Sequence, residues 1–208
     1  MMNLLFICGL CVLFGVTLFQ TVLVTKASAV TRRFSLWATL CASLLFLAFS
    51  LGIVLRNTTF TFNLYQLTGT LHLSFAVDRL AAYFMMIISL LSTTVCFYSL
   101  GYVEHHGSNT GKNFLVAMMS LFILSMLLLV ASDNTFSLLF FWETMSLTSF
   151  LMVMFDYDKA DTRKSGLFYF VMTQLSTVCL MFGFIAIYHV TGSFSIDSVN
   201  VVSQIFRL

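Results

Sequence analysis

Long apolar runs alternate with short polar breaks along this chain. Six runs, at approximately 2–24, 35–55, 80–103, 114–131, 135–155 and 167–190, each approach the roughly 20 mainly apolar residues that cross a bilayer. Residues 56–79, RNTTFTFNLYQLTGTLHLSFAVDR, follow a different period. Phe60, Phe62 and Leu64 alternate with Thr and Asn, and Leu71, Leu73 and Phe75 alternate with His and Ser, on either side of Thr68-Gly69. A two-residue period flanking a turn predicts a β-hairpin, here on the extracytoplasmic side of the membrane. The expected fold is an all-α polytopic membrane protein with six transmembrane helices and a short hairpin between the second and third. Residues 1–208 read as one membrane domain: two leading helices (1–55), the outer hairpin (56–79), four helices (80–190) and an outer tail (191–208).

Composition sharpens this picture. Hydrophobic residues make up 60% and charged residues 9%, against about 25% charged in soluble domains. The net charge of +2, without any Lys/Arg run, leaves no nucleic-acid partner. The first partner is the lipid bilayer. Lys26, Arg32, Arg33, Lys112, Lys159, Arg163 and Lys164 fall in the odd connections, against Arg56, Arg79 and Arg207 on the other side. The positive-inside rule then puts the odd connections in the cytoplasm and both termini outside. Ala27-Ser28-Ala29 resembles a cleavage site, but no basic region precedes the first run, so it reads as a retained helix. There is no proline, and unbroken spans are expected.

Cys8, Cys11, Cys41, Cys96 and Cys179 all lie in apolar runs and read as small hydrophobes. Cys8-Gly-Leu-Cys11 would imply redox chemistry only in a soluble setting. His105-His106 reads as a solvated loop, His189 as interfacial, and Asp133 as the cap of the fifth span. No cofactor and no metal site is expected on this chain. The connection DYDKADTRKS, 156–165, reads as a solvated turn.

Glu143 stands apart. It is the ninth residue of the run from Thr135, about 12 Å along a helix axis, too deep for a short side chain to reach water. It must be protonated, paired or facing a wet cavity. Each state allows a proton to be taken up and released, although structural pairing alone would also explain the residue. In the sixth run Tyr169, Thr173 and Thr177 recur at i, i+4, i+8, with Ser176 and Gln174 beside them. Such a stripe either carries ordered water or joins helices. Asp78-Arg79 opens the third span, where a structural or interface role is expected.

These residues resemble a known family. The run FWETMSLTSFLMVMFDYDKADTRKSGLFYFVMTQLSTVCLMFGF is similar to the first central helices of antiporter-like proton-translocating subunits. Those occur in NADH:quinone oxidoreductase, multi-subunit sodium/proton antiporters and membrane-bound hydrogenases. LSFAVDRLAAYFMMIISLLSTTVCFYSLGYV resembles the start of the third helix in the same proteins. Among the branches, WETMSLTSFL and VDRLAAYFMMIISLL look closest to hydrogenase-4 component B, of formate hydrogenlyase-type complexes.

The resemblance implies a non-redox subunit in the inner (plasma) membrane of a bacterium, with other membrane and cytoplasmic subunits as partners. It also implies proton transfer by Glu143, which in the family pairs with a lysine on a later broken helix along a central hydrophilic axis; Tyr169, Thr173, Ser176 and Thr177 are the residues whose spacing suits them to such proton transfer. Family members run to more than twice this length, so the chain is expected to correspond to an N-terminal portion. A cation/proton antiporter subunit, carrying sodium as well as protons, is the alternative, and a structural remnant without transport is a third.

Overall fold

The computed structural model describes residues 2–22, 28–66, 72–105 and 109–193. In it α1 (Met2–Val22), α2 (Ala29–Arg56), α3 (Arg79–His105), α4 (Asn109–Val130), α5 (Thr135–Val153) and α6 (Ala160–Thr191) are continuous, with β1 (Phe60–Gln66) and β2 (His72–Val77) between α2 and α3. All six helices are long and apolar enough to cross a membrane. The expected turn at Thr68-Gly69, His106 and residues 194–208 of the tail lie outside the described residues.

Helix ends are set by local chemistry. Ser28 accepts from the Thr31 amide at the start of α2 (3.3 Å), and Asn57 closes that helix in the left-handed region at φ 52°, a conformation Asn tolerates. Asp78 Oδ1 accepts from the Ala81 amide (2.7 Å) at the start of α3. For α5 the cap is Asn134, whose Oδ1 accepts from the Ser137 amide (2.7 Å). Asp133 was expected there. It lies one residue too early, and its amide instead donates to Ser74 O (3.1 Å). Gly192, at φ 67°, ends α6 with its amide on Tyr188 O.

Three expected boundaries move. The fourth span begins at Asn109 rather than 114, which takes Lys112 into α4. The second span begins at Ala29 rather than 35, which takes Arg32 and Arg33 into α2; Arg32 is 1% exposed and donates to Asn113 Oδ1 of α4 (3.1 Å). Apolarity alone missed this start because the first turn of α2 carries the polar Thr31, Arg32 and Arg33, of which Arg32 is buried. The sixth helix begins at Ala160, so Arg163 and Lys164 are helical and the 156–165 connection is only partly a turn. Arg163 folds back to donate to Tyr157 O (3.1 Å). The 32 residues of α6 span about 48 Å, longer than a hydrocarbon core of about 30 Å.

The core lies among α1–α4. Phe6, Phe46, Phe49 and Phe60 form a ring cluster, with Phe6–Phe49 and Phe6–Phe60 centroids 5.1 Å apart. Gly9 lets α1 approach this cluster, because a Cβ there would lie 2.9 Å from the Phe46 ring. The hairpin is antiparallel, pairing Phe60 with Val77 and Phe62 with Phe75, with a bulge between Asn63 and Tyr65. Phe60, Phe75 and Val77 are buried, so the hairpin lids one end of the bundle. It is also tied to the α4–α5 connection, through Ala76 N–H to Ala131 O (2.8 Å) and Asn134 Nδ2 to Ser74 Oγ (2.9 Å).

Candidate functional site: a carboxylate between α5 and α6

Glu143 is half-buried on α5 and meets α6. Its Oε1 accepts a hydrogen bond from Gln174 Nε2 at 2.6 Å, while Oε2 is buried without a partner. The donor is a neutral amide, which can satisfy one carboxylate oxygen without fixing the proton of the other.

Tyr169 also crosses the interface, its hydroxyl 2.8 Å from Ser149 Oγ. Thr173, Ser176 and Thr177 make no hydrogen bond to Glu143. Their hydroxyls donate to carbonyls of their own helix, at Phe170 (2.9 Å), Met172 (3.0 Å) and Thr173 (3.1 Å). Each keeps its oxygen lone pairs for an external donor. Tyr169, Thr173 and Thr177 do share the less exposed side of α6, whereas Ser176 is exposed. A groove of about 360 Å³ opens here, lined by Trp142, Met145 and Ser146 from α5 and Tyr169, Met172, Thr173 and Ser176 from α6.

The helices meet closely because Gly166 has no side chain, and a Cβ there would collide with the Met154 sulfur. The Phe150 and Phe170 rings meet beside it, tilted by 42° with centroids 4.9 Å apart. Sequence reasoning passed over Ser146 and Ser149, yet with Glu143 they recur every three residues, which keeps them near one face of a helix. Gln174 is likewise the direct partner rather than a neighbour of the stripe. Asp78 serves as the α3 cap, and with Arg79, Val54, Leu80 and Tyr83 it borders a separate groove of about 530 Å³. Among the described residues no three His, Cys, Asp or Glu side chains gather as a metal site, and all five cysteines are free thiols.

These features define a polytopic helical membrane protein with a membrane-depth carboxylate held by a neutral partner. Residues 132–206 match the family described as NADH:quinone oxidoreductase/Mrp antiporter, TM, and residues 66–111 match NADH-Ubiquinone oxidoreductase (complex I), chain 5 N-terminus. The chain belongs to this family of antiporter-like membrane subunits. It is 30% identical over 199 residues to a putative antiporter subunit mnhA2 of Staphylococcus saprophyticus, covering 95% of this chain and 25% of that one. A putative antiporter subunit mnhA2 of Staphylococcus haemolyticus is 35% identical over 126 residues, which is 61% of this chain and 16% of that one. The chain thus spans a quarter or less of the curated relatives it matches.

The fold is similar to a chain of the Mrp complex from Dietzia sp. DQ12-45-1b, with a TM-score of 0.72 and 22% identity, covering 91% of this chain and 20% of that one. It is equally similar, at TM-score 0.72 and 15% identity, to a chain of an archaeal membrane-bound sulfane sulfur reductase, covering 93% and 38%.

Proposed function

We propose that this chain is a proton-carrying part of an antiporter-like membrane subunit, with Glu143 as the group that takes up and releases the proton. One observation carries the reading: a carboxylate at membrane depth whose Oε1 is held by Gln174 and whose Oε2 is buried and unmatched. A carboxylate with one free oxygen in a low-dielectric setting responds strongly to nearby charge. A cation brought near Oε2 favours the ionised form, and its withdrawal favours proton uptake. Such a cation would come from other subunits, from a later helix of a longer protein, or from the transported ion.

The partners in this reading are further membrane and cytoplasmic subunits. The location is a bacterial plasma membrane, with the 154–159 connection on the cytoplasmic side. Similarity to staphylococcal antiporter subunits favours the cation/proton antiporter reading, in which sodium would be the exchanged cation. The hydrogenase-4 or formate hydrogenlyase-type reading rests on the WETMSLTSFL and VDRLAAYFMMIISLL runs. The two separate by driving force: sodium-dependent proton movement without an electron donor supports the antiporter, and formate-dependent movement the hydrogenase.

The test is complementation of cells lacking the corresponding subunit, with proton movement read in inverted vesicles and assembly checked by native gel. Glu143→Gln is expected to assemble and to lose transport. Full transport by that variant would sink the proposal, and assembly without transport by the unaltered chain would make it a structural element.

A further inference from the structure

The groove of about 530 Å³ at the hairpin end of the bundle lies apart from the carboxylate site. The described residues lining it are Val54 of α2 and Asp78, Arg79, Leu80 and Tyr83 at the start of α3. One carboxylate, one guanidinium and one phenol thus share a cleft with aliphatic walls. Asp78 commits Oδ1 to the Ala81 amide (2.7 Å), and its Oδ2 accepts no hydrogen bond from a described residue. Arg79 is exposed just ahead of the apolar run, and its guanidinium makes no hydrogen bond or ion pair with a described residue.

Below these charges the surface is apolar and continuous. Leu80, Phe84, Ile87 and Leu91 follow one face of α3 and are all exposed. From Leu80 to Leu91 the strip runs about 16 Å along the axis, close to one half of a hydrocarbon core of about 30 Å. A cation and an anion side by side at the polar level, above an apolar track one leaflet deep, complement a lipid whose headgroup carries both charges.

We propose that this groove binds a phospholipid with a primary ammonium in its headgroup, of the phosphatidylethanolamine class, on the hairpin side of the membrane. Arg79 takes the phosphate, because its planar fork matches phosphate oxygens. Asp78 Oδ2 accepts from the ammonium. The Tyr83 hydroxyl, one turn beyond Arg79 on the same wall, donates to a phosphate or ester oxygen. One acyl chain lies along Leu80, Phe84, Ile87 and Leu91, and Val54 closes the cleft from α2, so the lipid bridges α2 and α3. A purely anionic headgroup meets Asp78 as a like charge, and a choline headgroup has no N–H to give Oδ2. The paired charges therefore select an ammonium that can donate.

The test is native mass spectrometry of the full chain, stripped of lipid in detergent. It is then mixed with dioleoyl phosphatidylethanolamine, phosphatidylcholine or phosphatidylglycerol at equal concentration, or with inorganic phosphate. The chain is expected to retain phosphatidylethanolamine roughly tenfold better than phosphatidylcholine, the scale of one hydrogen bond to a charged group. Asp78→Asn is the deciding variant. Asparagine caps a helix as well as aspartate does, so the start of α3 survives while the charge is lost, and the preference is expected to vanish. Arg79→Gln is expected to weaken retention of all three lipids. Arg56→Gln changes an exposed cation two residues beyond Val54 that does not line the groove, and is expected to alter nothing.

Equal retention of phosphatidylethanolamine and phosphatidylcholine by the unaltered chain overturns the proposal. A preference that survives in Asp78→Asn does the same. Displacement of the lipid by inorganic phosphate would assign the groove to a free anion instead, and an effect of Arg56→Gln as large as that of Arg79→Gln would reduce the site to general surface charge. If Asp78→Asn fails to fold, Asp78→Ser, which also caps, takes its place.

Discussion

The four leading helices and the α5–α6 pair use similar side chains for different ends. In α1–α4 most buried hydroxyls turn inward on their own helices: Thr39 donates to Ser35 O, Ser43 to Thr39 O, Ser120 to Ala117 O and Ser125 to Phe122 O, while Ser99 of α3 reaches Met119 Sδ of α4 (3.6 Å). Satisfied in this way, small polar residues serve close packing, which is what drives helix association where lipid is as apolar as leucine. Between α5 and α6, longer groups reach across, as Gln174 does to Glu143 and Tyr169 to Ser149. The packing differs too, since α4 is largely buried while Gly166 is the one buried residue described in α6. The first region is a packed core. The second is a face whose polar atoms look outward for partners. Gln20, fully buried in α1 with both amide atoms unmatched, and Ser89 of α3, whose buried Oγ has no partner, depart from the pattern, and nothing in the structure explains them.

The largest expected effect breaks the α5–α6 side alone. Glu143→Gln should lower proton transport by about a hundredfold or more, the scale of losing a proton-transfer group, with no change in the melting of the assembled protein. Gln174→Leu comes next. It removes one hydrogen bond to a charged group, worth about 1.5–3 kcal/mol, or roughly tenfold or more in rate, while Gln174→Glu should not restore transport.

On the other side of the comparison, Asn113→Leu takes a partner from buried Arg32 and should destabilise α1–α4 by about 1–3 kcal/mol, read as a lower melting temperature in detergent. Gly166→Leu forces α5 and α6 apart by overpacking, at a cost of about 1–3 kcal/mol. A disulfide engineered between cysteines at 149 and 169 should then form more slowly than with Gly166 intact. Thr39→Ala is the smallest change, since its hydroxyl serves only its own helix, and it should stay within about 0.5 kcal/mol. A transport defect from Thr39→Ala would blur the distinction between the two regions.

Much of this division was legible in the sequence. Apolar run length located all six helices, and period-two alternation located the hairpin, because membrane thickness and strand geometry impose those patterns directly. Glu143 stood out because a carboxylate in an apolar run has so few allowed settings. The start of α2 and the partner of Glu143 were not legible. Arg32 reads as a loop charge until Asn113 is placed beside it, and Gln174 reads as a bystander of the Tyr169–Thr173–Thr177 stripe until the rotation of α6 against α5 is known. Both depend on contacts between residues 31 or more positions apart, which no local period encodes. The hairpin's attachment to Ala131 and Asn134 was hidden for the same reason.

The most direct test of the central claim is a double-mutant cycle in proton transport, using Glu143→Gln, Gln174→Leu and the pair, with assembly matched across the four proteins. If Gln174 acts by holding the working carboxylate, its loss slows transport in the parent and changes nothing further once Glu143 is glutamine. Equal losses from Gln174→Leu in both backgrounds would show that the two residues act independently, and would contradict the account.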